Sequence, residues 1–142
     1  MNMNILVIDG QGGRLGRKLV ESIRKACPDT VIMAVGTNSM ATENMMSTNN
    51  VDHLATGENA VIVACRTADI IVGPVGIATA DALLGEISPA MANAVASANA
   101  HRVLIPMNLC RTYIAGVSQG SAAILEDAVN HIRQLAQKEN KE

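Results

Sequence analysis

Ile5-Leu6-Val7-Ile8 is an unbroken apolar run that ends at Asp9 and a cluster of glycines. Continuous rather than alternating apolarity marks a strand covered on both faces, as in a parallel sheet. From Arg14 the period changes. Leu15, Leu19 and Ile23 recur every four residues and predict a helix buried on one side. Cys27-Pro28-Asp29 stops it, because proline cannot continue a helix and biases its predecessor to extended geometry. Val31-Ile32-Met33-Ala34-Val35 predicts a second buried strand ending at Gly36, residues 39–47 a short helix, and residues 51–55 a weak strand.

Thr56 is placed to cap a helix running to about Ala68, although 60–65 is rich enough in β-branched residues to read as a strand. Asp69-Ile70-Ile71-Val72-Gly73 follows at once and is the better strand. Ser88-Pro89 is a helix start, serine capping and proline at the first helical position, and an alanine-rich helix runs through 90–100. Arg102-Val103-Leu104-Ile105 predicts a strand, residues 106–111 a connection, and 112–117 one more strand. Leu125, Ala128, Val129, Ile132, Leu135 and Ala136 then form one stripe opposite Glu126, Asp127, Asn130 and Arg133, an amphipathic final helix. This alternation predicts an α/β fold: a single Rossmann-like, doubly wound domain over residues 1–136, with a polar tail at 137–142. Five or six mainly parallel strands carry helices on both faces. The last two strands are too close for a helical crossover, so they are expected to form a hairpin with an antiparallel edge strand.

Composition narrows this picture. The chain has 142 residues, enough for one domain that buries roughly 70% of its unfolded surface. Phe and Trp are absent and Tyr113 is the one aromatic residue, so the core is aliphatic. Between Gly57 and Ala100 the only charges are Glu58, Arg66, Asp69, Asp81 and Glu86. So neutral a stretch implies a ligand-wrapping or self-associating surface. After the central strand is assigned to the interior, residues 78–100, from Ala78 to Ala100, remain as the expected subunit contact of a homo-oligomer. A net charge of -2 with no basic run and no stacking aromatics excludes the usual nucleic-acid footprint. No apolar run approaches the roughly 18 residues of a membrane span. The start at Met1-Asn2-Met3-Asn4 enters a strand with no signal peptide, so a cytoplasmic protein is expected. Cys27, Cys65 and Cys110 show no Cys-x-x-Cys pair, which argues against disulfide or zinc scaffolds.

Gly10-Gln11-Gly12-Gly13-Arg14-Leu15-Gly16 lies after the first strand and opens the first helix, where a dinucleotide loop belongs. One glycine makes the tight turn, another admits a pyrophosphate to the backbone, and the last lets helix pack on strand; the anion rests on free amides at the helix N-terminus. Arg14 adds a positive charge there. A glycine turn used only for packing is the competing reading. Asp9 would place a carboxylate beside bound phosphate, so it must face away, bond the loop amides, or hold Mg²⁺. The acid that takes the ribose hydroxyls of NAD about 20 residues on is missing; Val35-Gly36-Thr37-Asn38-Ser39 stands there. Thr37 and Asn38 fit a 2′-phosphate better, so NADP is preferred over NAD.

Gly73-Pro74-Val75-Gly76 follows the central strand, beside the switch point where such sheets bind ligands. Gly73, Pro74 and Gly76 are therefore candidate cofactor contacts or a plain turn. Glu58 opens a helix at another carboxyl-end loop, as a candidate catalytic acid or a helix-dipole partner. Asn108, Cys110 and Arg111 follow the 102–105 strand; Arg111 is a candidate anion ligand, and Cys110 a nucleophile if Arg111 activates it, or a buried structural cysteine. His53, His101 and His131 show no metal spacing, and no metal site is expected.

The run Ile8-Asp9-Gly10-Gln11-Gly12-Gly13-Arg14-Leu15-Gly16-Arg17 resembles the opening of the NAD(P)-binding half of dihydrodipicolinate reductase, over about the first strand and helix. That resemblance implies NAD(P) at the loop; these residues hold no counterpart of the reductase's substrate domain. Across the chain, Ala55-Thr56-Gly57-Glu58-Asn59-Ala60, Gly85-Glu86-Ile87-Ser88-Pro89-Ala90-Met91 and Leu104-Ile105-Pro106-Met107-Asn108 are similar to a small bacterial family, domain of unknown function 3842. That similarity implies fold and length and supplies no catalytic residues. The expected function is binding of a dinucleotide, NADP before NAD, or a related small phosphorylated ligand at the Gly10 to Gly16 loop. Either an NAD(P)-dependent oxidoreductase has its pocket completed by a neighbouring subunit, or a non-catalytic nucleotide sensor or complex subunit uses the same loop. Another phosphate ligand, such as coenzyme A, is the third reading.

Overall fold

The computed structural model describes residues 2–107 and 109–139. Strand and helix alternate as β1 (Asn4–Asp9), α1 (Arg14–Ala26), β2 (Val31–Gly36), α2 (Ser39–Met46), β3 (His53–Thr56) and α3 (Glu58–Cys65). They continue as β4 (Ile70–Pro74), a 3-10 turn (Val75–Ala78), α4 (Pro89–Ser97), β5 (His101–Ile105) and α5 (Ser121–Glu139). The five strands form one sheet in the order β3-β2-β1-β4-β5, and every pairing between them is parallel.

The unbroken apolar runs of β1 and β4 are explained by two cores, one on each face. Ile5 and Val7 of β1 pack with Leu19 and Ile23 of α1 and Ile132 of α5. Leu6 and Ile8, pointing the opposite way, pack with Val61 of α3, Ile87, and Met91 and Val95 of α4. Each such fully buried side chain contributes roughly 1.5–3 kcal/mol. Strand order reverses between β1 and β4, so the connections leaving those strands diverge to opposite faces and open a crevice at their carboxyl ends.

Three local expectations are corrected. Residues 112–117 form no strand; after β5 the described chain makes only an isolated antiparallel bridge between Leu109 and Thr112. The segment has no core to cover, since Tyr113 is 87% exposed, and Gly116 adopts φ +85 in its middle. No antiparallel edge strand is therefore present among the described residues. Thr56 ends β3 and hydrogen-bonds Thr42 through its hydroxyl at 2.7 Å, while Gly57, with φ +102, precedes α3. The helix after Pro89 ends at Ser97, because Ala98 turns to extended geometry and leads into β5. Ser88 caps that helix as expected, accepting from the Met91 amide at 3.2 Å. The last helix continues through Gln137 to Glu139.

Candidate functional site

The loop between β1 and α1 is organised by two carboxylates. Asp9, the buried last residue of β1, accepts from the Gly10 amide at 2.8 Å and from the Gly16 amide at 2.7 Å. Of its three possible roles, bonding the loop amides is the one the geometry gives it. The second carboxylate comes from 75 residues away: one oxygen of Glu86 accepts from the Gln11 amide at 3.0 Å, the Thr37 hydroxyl at 2.7 Å and the Asn38 side-chain amide at 2.6 Å. Burial pushes the Asp9 carboxyl up from its ordinary 3.8; the Gly16 and Gly10 amides oppose this, and the Glu86 charge adds to it. Burial also acts to raise Glu86, but its bonds from Thr37, Gln11 and Asn38 outweigh that and hold it below its ordinary 4.5.

The loop's remaining polar groups are turned by α2. The Asn38 side chain donates to the Gln11 carbonyl at 3.0 Å, and Asn44 donates to the Gly12 carbonyl at 2.9 Å. In a trans peptide the N–H points opposite the C=O, so the Gly12 amide faces away from α2. The Gly13 amide closes the turn on the Gly10 carbonyl at 3.0 Å. Among the described residues, the amides of Gly12, Arg14 and Leu15 have no protein acceptor. Such groups at the first turn of a 13-residue helix carry the positive end of its dipole.

These three residues form part of the floor of a half-open cleft of about 550 Å³ at the β1–β4 reversal. Pro74 at the end of β4 and Gly76 in the turn after it form one wall, and Leu83, Met107 and Leu109 supply an apolar rim. A second, more apolar groove of about 640 Å³ between the end of β5 and the start of α5 meets it at Leu15 and Met107. Both volumes lie within the usual range for small-molecule sites.

The glycines divide by role. A Cβ on Gly16 would lie 2.6 Å from the Met45 sulfur and 2.8 Å from Asp9 Cβ, and one on Gly13, at φ +72, would lie 2.7 Å from the Ala41 backbone. Both serve packing of α1 against β1 and α2. A Cβ on Gly10 would meet Thr37, Leu83 and Glu86. Gly12 alone of the four opens on free space, so it is the position where a ligand can approach the backbone.

Other sequence candidates fall in different places. Arg14 lies at the cleft, exposed, and its guanidinium makes no hydrogen bond among the described residues. Thr37 and Asn38 both donate to Glu86 and do not line the cleft. Gly73 is buried, its missing side chain leaving room for the Ile8 carbonyl of β1, whereas Pro74 and Gly76 line the cleft. Glu58 is exposed in the first turn of α3, beyond the edge strand β3 and outside the cleft lining. Cys110 is exposed, which corrects its reading as a buried structural cysteine; with Arg111, at φ 54, it forms the turn beside the cleft residue Leu109. Asn108 lies outside the described residues. Sequence reading passed over Glu86, Leu83, Met107 and Leu109. Of these, only Glu86 left a signal, as one of few charges in a neutral stretch.

Among protein families, the model of a domain of unknown function (DUF3842) matches residues 4–137. No curated protein matches the sequence. Among solved structures, the chain is similar to a dodecameric FMN-dependent UbiX-like decarboxylase from Escherichia coli O157:H7, with a TM-score of 0.53 and 17% identity over 94% of each chain. At that identity the likeness shows the fold, and the α/β assignment agrees with it. The expectation of NADP or NAD is corrected on this finding, since the similar structure is described as FMN-dependent. The geometry adds a reason: a 2′-phosphate placed at Thr37 and Asn38 would meet the Glu86 carboxylate they already hold. No described helix is long and apolar enough to cross a membrane.

Proposed function

The chain belongs to the DUF3842 family, whose description states no activity, and from the site itself we propose that it binds a ligand carrying a phosphate monoester. The phosphate sits on the Gly12, Arg14 and Leu15 amides with the Arg14 guanidinium beside it, and the body of the ligand lies over Leu15 and Met107, where the two grooves meet. The observation that carries this reading is the set of amides without protein acceptors, among the described residues, on the floor of a cleft at the strand-order reversal. Helix N-termini of this kind favour anions. Flavin mononucleotide is the first candidate: it has one phosphate and a flat apolar ring, and the similar solved structure is described as FMN-dependent. With no aromatic side chain in the lining, that ring packs between aliphatic groups.

Binding rather than chemistry is the role supported. Glu58 and Cys110, the candidate acid and nucleophile, are not among the cleft lining, and Asp9 is engaged by two amides. A nucleotide-sensing or complex-subunit protein therefore accounts for the site without further groups. Self-association fits the same picture: Leu84 is 92% exposed, α4 turns Ala90 and Ala96 outward, and the similar structure is described as dodecameric. Sedimentation at micromolar concentration is expected to show an oligomer, and a monomer would remove residues 78–100 as a subunit contact. For the ligand, thermal unfolding with FMN and with riboflavin decides. FMN at 100 times its dissociation constant stabilises the fold by about 2.7 kcal/mol, while riboflavin, lacking the phosphate, is expected to do far less. Equal stabilisation by both would overturn the phosphate assignment, and a response to neither would remove flavin as the ligand.

A further inference from the structure

We propose that Glu86 restricts this site to ligands with a single phosphate and excludes diphosphates. The inference rests on the phosphate reading above and sharpens its ligand class. A pyrophosphate needs amides for two anionic groups, and here the loop offers them for one. The Gln11 amide is taken by Glu86, and the Gly10 and Gly16 amides by Asp9. The open amides are three within four residues, those of Arg14 and Leu15 in the first turn of α1 and that of Gly12 just before it, enough for one phosphate and too few for two. A second phosphate extending toward β2 would reach the Glu86 carboxylate, which stays ionised because Thr37, Gln11 and Asn38 stabilise its charge.

The placement of Glu86 is imposed by its segment rather than by chance contact. Asp81, Leu83, Leu84 and Gly85 all adopt φ between 57 and 90, a region that non-glycine residues populate at a cost. The segment is closed by bonds from the Asp81 amide to the Ile87 carbonyl at 2.7 Å and from the Ile87 amide to the Ala82 carbonyl at 3.2 Å. Ile87 itself is wholly buried in the α3–α4 core. A short, strained turn on a fixed anchor thus delivers one carboxylate to the rim of the loop, with Leu83 against Gly10. Glu86 does not line the cleft itself but holds the amide of Gln11, which does, so a second phosphate placed over Gln11 meets a like charge and diphosphate affinity is reduced by about tenfold or more.

The test titrates the full chain with inorganic phosphate, pyrophosphate, FMN and FAD, the last pair sharing one ring system and differing in phosphate number. The wild-type chain is expected to hold phosphate over pyrophosphate, and FMN over FAD, by about tenfold or more. Glu86→Gln, which keeps an acceptor oxygen and loses the charge, is expected to gain about tenfold for pyrophosphate and FAD. Its preference for phosphate over pyrophosphate, and for FMN over FAD, is therefore expected to fall by about tenfold. Pyrophosphate held by the wild-type chain as tightly as phosphate would overturn the proposal, and this comparison needs no folded variant. An unchanged preference in a folded Glu86→Gln would overturn it as well. If phosphate and pyrophosphate separate as expected while FMN does not bind, the flavin candidate falls and the role of Glu86 stands. If neither anion binds, both fall.

Discussion

The two sides of one seven-residue loop have opposite fates. On the side facing β2 and α2 the amides are already taken, those of Gly10 and Gly16 by Asp9, that of Gln11 by Glu86 and that of Gly13 by the Gly10 carbonyl. On the side facing β4, the Gly12, Arg14 and Leu15 amides are without protein partners among the described residues. The glycines follow the same division: Gly13 and Gly16 pack against neighbours, and Gly12 faces open space. A glycine-rich loop therefore cannot be equated with a dinucleotide site on its spacing; what matters is how many of its amides the protein itself consumes.

The largest expected effect breaks the packed side. Gly16→Ala forces a methyl against Asp9 and Met45, and a loss of about 2–4 kcal/mol is expected in denaturant unfolding. The contrasting Gly12→Ala changes stability by less than about 0.5 kcal/mol but places a methyl where the phosphate approaches. Its FMN affinity is expected to fall by about tenfold or more; equal losses of stability in the two variants would erase the distinction. Next in size, Asp9→Ala leaves the Gly10 and Gly16 amides without their acceptor, at a cost of about 2 kcal/mol in the same unfolding experiment.

Acid titration gives a smaller effect with a defined sign. Glu86 is held below its ordinary 4.5, so its contribution to stability is full above that value and is lost as pH falls below it. Asp52 is held below 3.8 by the Ile32 amide and by Arg24, and it loses its contribution in the same direction. Asp9, raised above 3.8 by burial, has the opposite sign: its contribution declines as pH rises through its raised value. Thermal unfolding from pH 6 downward should show Glu86→Gln losing less stability than wild type below about pH 4.5. A parallel decline in the two chains would mean that the Glu86 bonds contribute nothing. Smallest of all is Arg14→Ala. An exposed charge is screened by salt, so a fall of about threefold in FMN affinity at low ionic strength should vanish at high salt.

How far the sequence reading reached depended on the range of the interactions. Runs such as Ile5 to Ile8 and the Leu15-Leu19-Ile23 period located strands and helices, because burial on two faces or one leaves a local pattern. The loop was legible for the same reason: its glycines lie between a strand and a helix. Glu86 was not, since its partners Gln11, Thr37 and Asn38 are 75, 49 and 48 residues away and its own turn has no period. Residues 112–117 misled in the other direction, because β-branched and aromatic composition favours a strand only where a pleated surface is there to receive it. The absence of an acid after β2 was read correctly, but the preference for NADP drawn from it was overturned. A carboxylate does reach Thr37 and Asn38, but from a different element.

The most direct test follows the loop amides one by one in ¹⁵N-edited NMR spectra while FMN is added. The Gly12, Arg14 and Leu15 signals should shift saturably and together, and those of Gly10, Gln11 and Gly16 much less, because Asp9 and Glu86 keep them. Equal movement of the Gln11 and Gly16 amides, or no movement at Gly12, Arg14 and Leu15, would contradict the division of the loop on which the whole account rests.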